Sequence, residues 1–235
     1  MNAVEFEKIM DKYFFFFASR HEKNCSKNEY DKISNDLYIN KVYKRIDMLK
    51  ASPEYRKIKK LLDAVEIASI DDLVEHYMKL KSKIESKNKF STKLVIGHGY
   101  PCFANTLYNK STQTLKFIDP KGAMTEDELW TNPYYNIAKL SHSVCGRYDF
   151  FNNELFDIKI NSNFSYDLTI PFNNNSFVEM FKTKAIENGF DYWAIRIYEA
   201  SLFLSMLPLH IDNPHKVFGF ILNVRNILKE IEKNV

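Results

Sequence analysis

The residues best suited to chemistry lie in the middle of the chain, between positions 97 and 119. His98 stands between two glycines, Asn105 follows in the same loop, and Asp119 ends a short predicted hairpin. In enzymes that transfer phosphate, such a layout places a catalytic loop and a metal-binding aspartate around the phosphates of ATP. This segment therefore predicts chemistry on phosphate groups.

The composition is that of an ordinary globular protein. The chain has 235 residues, of which 45% are hydrophobic and 27% are charged, so it can bury a real core as one large domain or two small ones. Its net charge is +3, and basic and acidic residues are interspersed. A nucleic-acid partner is not expected, because binding to nucleic acid requires a clustered basic face.

The cysteines and the aromatic run near the start of the chain indicate the cellular compartment of the protein. Cys25, Cys102 and Cys145 are odd in number and widely spaced, which predicts free thiols and a cytoplasmic protein. The run from Tyr13 to Phe17 is too short to cross a bilayer, and acidic residues precede it, unlike a signal peptide. We expect no membrane span, and we interpret the run as core, with a partner-binding surface as the alternative.

Apolar spacing predicts mostly helices. They are expected at 4–18, 37–48, 53–67, 71–84, 136–143, 177–188, 191–207 and 216–233, and the segment 191–207 is apolar on nearly all sides, as in a buried central helix. Short strands are expected at 93–96, 106–108 and 115–118, with an extended stretch within 150–175, while 19–36 and 123–133 are interpreted as loops.

These patterns predict a mainly α fold with a small β hairpin element, an α+β class. We divide the chain into an N-terminal helix and loop (1–36) and a helical lobe (37–235), packed together as one compact domain. No glycine precedes Gly97, so a Gly-rich phosphate-binding loop is not found upstream of His98.

Three segments resemble the aminoglycoside/choline kinase-like phosphotransferase family, in particular its bacterial branch associated with capsule and surface-polysaccharide synthesis. They are His98–Tyr108, Ile118–Gly122 together with Tyr135–Ser143 and Tyr148–Phe150, and Met206–Pro214. The resemblance spans about residues 40–235 and implies the helical, C-terminal lobe of a protein-kinase-like fold. The nucleotide-binding lobe of that family is not covered.

The resemblance implies roles for individual residues. Asn105 and Asp119 correspond to the ligands of Mg2+ between the phosphates of ATP, and hard oxygen donors suit that ion. His98 corresponds to the histidine that braces the catalytic loop. Tyr100 stands where the family has its catalytic aspartate, and a phenol with a pKa of about 10 is a poor base at neutral pH.

Three further residues lie on the substrate side or shape the structure. Asn136 occupies a position where the family usually has an acid that accepts hydrogen bonds from the catalytic loop. Asp212 and Asn213 precede Pro214 and are interpreted either as turn-forming residues or as part of the substrate side.

The family transfers the γ-phosphate of ATP to a hydroxyl of a sugar-like or amino-alcohol molecule. We therefore expect a kinase-like phosphotransferase lobe that is inactive alone, because the nucleotide lobe and the catalytic aspartate are absent. The alternative is a non-catalytic pseudokinase that binds or scaffolds in capsule or surface-polysaccharide synthesis. Expected partners are a nucleotide-binding lobe in trans or a second copy of the chain, and a small molecule or glycan precursor.

Overall fold

The computed structural model describes residues 2–65, 69–88, 90, 92–162 and 165–235. The first half contains helices α1 (Ala3–Ala18), α2 (Lys27–Asn35), α3 (Lys41–Ala51), α4 (Tyr55–Ala64) and α5 (Ile70–Lys87) and strands β1 (Glu22–Asn24) and β2 (Lys93–Ile96). The second half contains β3 (Thr106–Asn109), β4 (Thr114–Phe117), β5 (Trp130–Thr131), α6 (Pro133–Val144), α7 (Tyr148–Asn152), β6 (Asp157–Ile160), β7 (Tyr166–Thr169), α8 (Asn175–Glu187), α9 (Tyr192–Met206) and α10 (Pro214–Asn234). The predicted mainly α class with a small β element is confirmed.

Within the described residues, the strands form three small antiparallel sheets. One has the order β1-β2-β5, and the other two are the hairpins β3-β4 and β6-β7. In the hairpin β3-β4, Thr106 lies opposite Phe117 and Asn109 opposite Thr114. This hairpin fixes the spacing between the loop before β3 and the residues after β4.

The helix starts follow from capping chemistry. Ser69 accepts a hydrogen bond from the backbone of Asp72 at the start of α5, and the Asp72 side chain accepts one in return, which satisfies two otherwise unpaired N–H groups. At the start of α6, Asn132 accepts from the backbone of Tyr134, and Pro133 occupies the first helical position. Proline loses nothing there, because the first N–H of a helix has no partner within the helix.

Helix α9 is the centre of the core. All residues from Tyr192 to Ser205 except Trp193 are buried, as expected for a segment that is apolar on nearly all sides. The helix packs against α3, α5, α6 and α10. Tyr38, in the π-helical turn between α2 and α3, stacks on Tyr198 of α9 with ring centroids 3.9 Å apart. The helices that carry candidate site residues are thus held against a common buried helix.

The aromatic run near the start is mostly core. Tyr13, Phe14 and Phe17 are buried, and Phe14 lies 6.2 Å from Phe181 of α8 between ring centroids. Phe15 points away and is 75% exposed. The core interpretation is confirmed for the buried residues, and the alternative, a partner-binding surface formed by the run, stays a prediction.

Two loop predictions are wrong. Residues 19–36, assigned to a loop in the segment 1–36, contain β1 and α2, and residues 123–133 contain a 3-10 turn and β5. In α2 only Tyr30 and Ser34 are buried, so this helix lacks the apolar stripe on which a sequence pattern depends. The predicted extension of α4 as far as Ile67 lies outside the described residues.

The cysteines are free thiols, as predicted, and all three are half-buried. Among the residues that the structure describes, no helix combines the length and the apolar character needed to span a membrane.

Candidate functional site

The loop after β2 is shaped by two glycines and one buried amide. A Cβ at Gly97 would lie only 2.1 Å from Nδ2 of Asn136, and Gly99 has φ +85°, a backbone conformation that favours glycine. The Oδ1 of Asn136 accepts a hydrogen bond from the Gly99 N–H at 2.8 Å. Asn136 is fully buried on α6, so this helix holds the loop from beneath.

His98 lies within that loop and is turned away from solvent. Its Nδ1 accepts a hydrogen bond from the Tyr100 N–H at 3.3 Å, and its carbonyl accepts one from the Lys121 N–H at 2.8 Å. The side chain is buried, and burial is the main factor that lowers the pKa of its imidazole. These contacts suit a neutral histidine that fixes the backbone.

The hairpin β3-β4 brings Asn105 and Asp119 to one cleft. The residue before Asp119, Ile118, donates its N–H to the Asn105 carbonyl at 3.0 Å, and Asp119 itself adopts φ +57°. Both side chains line a cleft of about 380 Å³. The full lining is Lys41, Arg45, Tyr100, Cys102, Ala104, Asn105, Asp119, Lys139, His142, Tyr148, Asn152, Leu202, Ser205, Met206 and Leu209.

Tyr100 lies in the same cleft and is 37% exposed. The Nζ of Lys139 lies 5.1 Å from the centroid of its ring, a cation–π contact. The Tyr100 carbonyl accepts a hydrogen bond from Nδ2 of Asn105 at 3.1 Å. The backbone thus ties Tyr100 to Asn105 while its ring is available to a ligand.

The cleft has an excess of positive charge. Lys41 and Arg45 reach it from α3 and Lys139 from α6, whereas Asp119 is the one carboxylate among the described lining residues. Burial, followed by the charge of Lys41, lowers the pKa of Lys139 to about 8. Burial and then Arg45 lower the pKa of Lys41.

The donor set is compatible with Mg2+ held together with phosphate groups. Asn105 uses its Nδ2 to contact Tyr100, which leaves Oδ1 free to act as a ligand in the same cleft as the exposed carboxylate of Asp119. Magnesium is usually held by one or two carboxylates plus substrate phosphates and water. The described residues contain no cluster of three histidine, cysteine or acidic side chains for a metal, so phosphates would have to complete the coordination.

The other predicted site residues lie apart from this cleft. Asn213 is the N-cap of α10: its Oδ1 accepts from the Lys216 N–H at 3.0 Å, and its Nδ2 donates to Glu154 at 2.8 Å. Asp212 is exposed, and neither residue lines the cleft. Leu209, from the same segment, does line it.

The sequence analysis did not predict Lys41, Arg45 and Lys139 as site residues. Lys41 and Arg45 are four residues apart and so share a helical face, but this signal is weak in a chain with 33 lysines and arginines. Lys139 lies within the segment Tyr135–Ser143 that resembles the phosphotransferase family, and the resemblance implies no role for it. The three side chains line one cleft because α3 and α6 pack against α9. A local sequence pattern does not predict such long-range packing.

A second cavity, of about 490 Å³, has aromatic walls and lies away from the predicted site residues. Its lining includes Phe14, Phe17, Tyr30, Phe90, Tyr134 and Phe190.

Comparisons of this chain with protein-family models, with curated proteins and with solved structures found no match.

Proposed function

We propose that this chain is the helical lobe of a kinase-like small-molecule phosphotransferase, and that it does not transfer phosphate on its own. The observation that carries the proposal is the position of Tyr100. Its ring lies in the cleft that contains Asn105 and Asp119, at the position of the catalytic aspartate in the family that the sequence resembles. A positioned general base typically contributes about 10²- to 10⁴-fold in rate.

The residues before the loop support the same proposal. Residues 1–96 contain no glycine, and their described part consists mainly of α1–α5. Phosphoryl transfer depends on groups that hold and neutralise the phosphates. Asn105 and Asp119 are the residues that would hold Mg2+, and the ion would supply part of that neutralisation when bound with ATP.

The second candidate function is a non-catalytic pseudokinase that binds a ligand or scaffolds in capsule or surface-polysaccharide synthesis. The convergence of Lys41, Arg45 and Lys139 on the cleft favours it, because these groups can bind an anion without any transfer. The two candidates differ when a Gly-rich β lobe is supplied in trans: only the phosphotransferase lobe is then expected to show turnover in a Tyr100→Asp variant.

The test of the proposal is an assay of acceptor-dependent ADP release from ATP and Mg2+, with choline, kanamycin and glucose as acceptors. We expect the wild-type chain and Tyr100→Asp to release no more ADP than Asp119→Asn, the matched control that lacks the metal-binding carboxylate. Restoring one carboxylate does not supply the groups that align the phosphates. Robust turnover by the unmodified chain, abolished in Asp119→Asn, would refute the proposal.

A further inference from the structure

We propose that the cleft binds the phosphate group of a small phosphorylated polyol, such as a sugar phosphate, through Lys41, Arg45 and Lys139. The inference names the ligand class for the cleft on which the proposed function rests. It depends on three cations that share one cavity of about 380 Å³, a size within the range of small-molecule sites.

The three cations come from two helices that are far apart in the sequence. Lys41 and Arg45 lie on α3 and Lys139 on α6, and all three side chains are half-buried. None of them forms an ion pair with any residue that the structure describes. Like charges that are partly removed from water oppose one another, so the arrangement is unfavourable until an anion enters.

The charge balance of the cleft fits a phosphate monoester. Asp119 offsets one of the three positive charges, and a phosphate monoester carries about −1.5 to −2 at pH 7. Three further side chains of the lining, Cys102, Tyr148 and His142, add no charge near neutral pH, because burial raises the pKa of Cys102 and Tyr148 and lowers that of His142. A guanidinium can also bind phosphate oxygens in pairs, which suits Arg45.

The rest of the lining fits a small polyhydroxyl body. Asn152 and Ser205 offer hydrogen-bonding groups at the wall, and the rings of Tyr100 and Tyr148 also line it, with the Tyr148 ring stacked against His142. Ser205 donates its hydroxyl to the Ser201 carbonyl at 2.7 Å, which leaves its oxygen free to accept a hydrogen bond from a ligand hydroxyl. Apolar groups complete one side of the cavity: Leu202, Met206 and Leu209.

The test is calorimetric titration of the full chain with glucose 6-phosphate, glucose and inorganic phosphate. We expect glucose 6-phosphate to bind, inorganic phosphate to bind more weakly, and glucose to show no binding. Lys139→Met and Arg45→Gln should each weaken the binding of glucose 6-phosphate at least about 10-fold, the order expected for one charge-assisted contact. Lys44→Met removes the same charge from an exposed position on α3 outside the cleft and should leave the affinity unchanged.

Circular dichroism of each variant checks that the fold is retained. The two substituted residues of the cleft lie on different helices, so the test still stands if one of the two variants misfolds. Absence of binding by the wild type overturns the proposal. So does binding that survives both cleft variants, or binding that falls equally in Lys44→Met. Phosphate transfer by the wild type in the separate assay contradicts the proposed function but not this site, because these outcomes concern affinity alone.

Discussion

Replacement of Glu199 with alanine is expected to lower the free energy of unfolding by about 3 to 5 kcal/mol, the usual cost of removing one partner of a buried ion pair. Glu199 is fully buried on α9, where it accepts hydrogen bonds from Arg196 at 2.5 Å and from Ser141 of α6. Arg196 is itself 5% exposed. The substitution therefore leaves the Ser141 hydroxyl without its acceptor inside the core, and it leaves the buried guanidinium with Glu230 as its remaining carboxylate partner. Urea denaturation followed by circular dichroism measures the loss.

The matched control is Glu230→Ala. Glu230 also pairs with Arg196, at 2.9 Å, but its side chain is 42% exposed, and pairs of this kind contribute about 0 to 1 kcal/mol. Equal losses in the two variants would show that burial of the Glu199 carboxylate has no special effect.

The burial of Glu199 offsets much of the stability that its ion pair with Arg196 contributes. Burial raises the pKa of Glu199 to about 7 in spite of the neighbouring Arg196, so removal from water costs the carboxylate more than the guanidinium returns. One of its oxygens, Oε1, also lacks a hydrogen-bond partner among the described residues. We accordingly expect the double variant Arg196→Met with Glu199→Leu to recover most of the stability lost in Glu199→Ala.

Replacement of Lys139 with methionine is expected to stabilise the ligand-free protein at pH 7 by about 1 to 3 kcal/mol. The pKa of Lys139 is lowered in the folded protein to about 8, mainly by burial. The unfolded chain therefore holds a proton that the folded chain releases between this value and the ordinary lysine pKa of about 10.4. Wild-type stability should rise with pH across that window, and the cost of Lys139 is fully present below pH 8.

The charged and titratable groups around Lys139 come from several elements. They are Lys41 and Arg45 of α3, Tyr100 and Cys102 of the loop after β2, Asp119 after β4, Tyr135 and His142 of α6, and Tyr148 of α7. Comparison of Lys139→Met with Lys44→Met in urea at pH 7 and pH 9.5 isolates the contribution of Lys139. We expect the stabilisation to shrink at the higher pH. A Lys139→Met protein that is less stable than the wild type at pH 7 would contradict this expectation.

The strongly patterned elements of the fold were predictable from the sequence. Lys93–Ile96 forms the predicted strand with the same bounds, and the last three predicted helices agree with α8, α9 and α10 to within two residues. In these segments an apolar run or stripe coincides with burial. By contrast, β1 consists of Glu22, Lys23 and Asn24 and forms only by pairing with β2, so its own sequence carries no strand pattern.

Of the candidate site, the sequence predicted only the residues that the hairpin β3-β4 connects. The hairpin pattern placed Asn105 and Asp119 near each other because the residues that connect them are local in the chain. Lys41 and Arg45 join the cleft through the packing of α3 on α9, a long-range contact between segments that each look like ordinary amphipathic helices. Asn213 belongs to a segment that resembles the family, but in the structure it caps the N-terminus of α10 and does not line the cleft. A motif match therefore does not by itself place a residue in the site.

The most direct test of phosphate binding in the cleft is the crystal structure of the chain with glucose 6-phosphate. We expect the phosphate group to lie within hydrogen-bond distance of Lys139 and of Arg45 or Lys41, with the sugar beside Tyr100. Glucose 6-phosphate bound in the aromatic cavity lined by Phe14 and Tyr134, and not in the cleft of Lys41, Arg45 and Lys139, would contradict the proposed site.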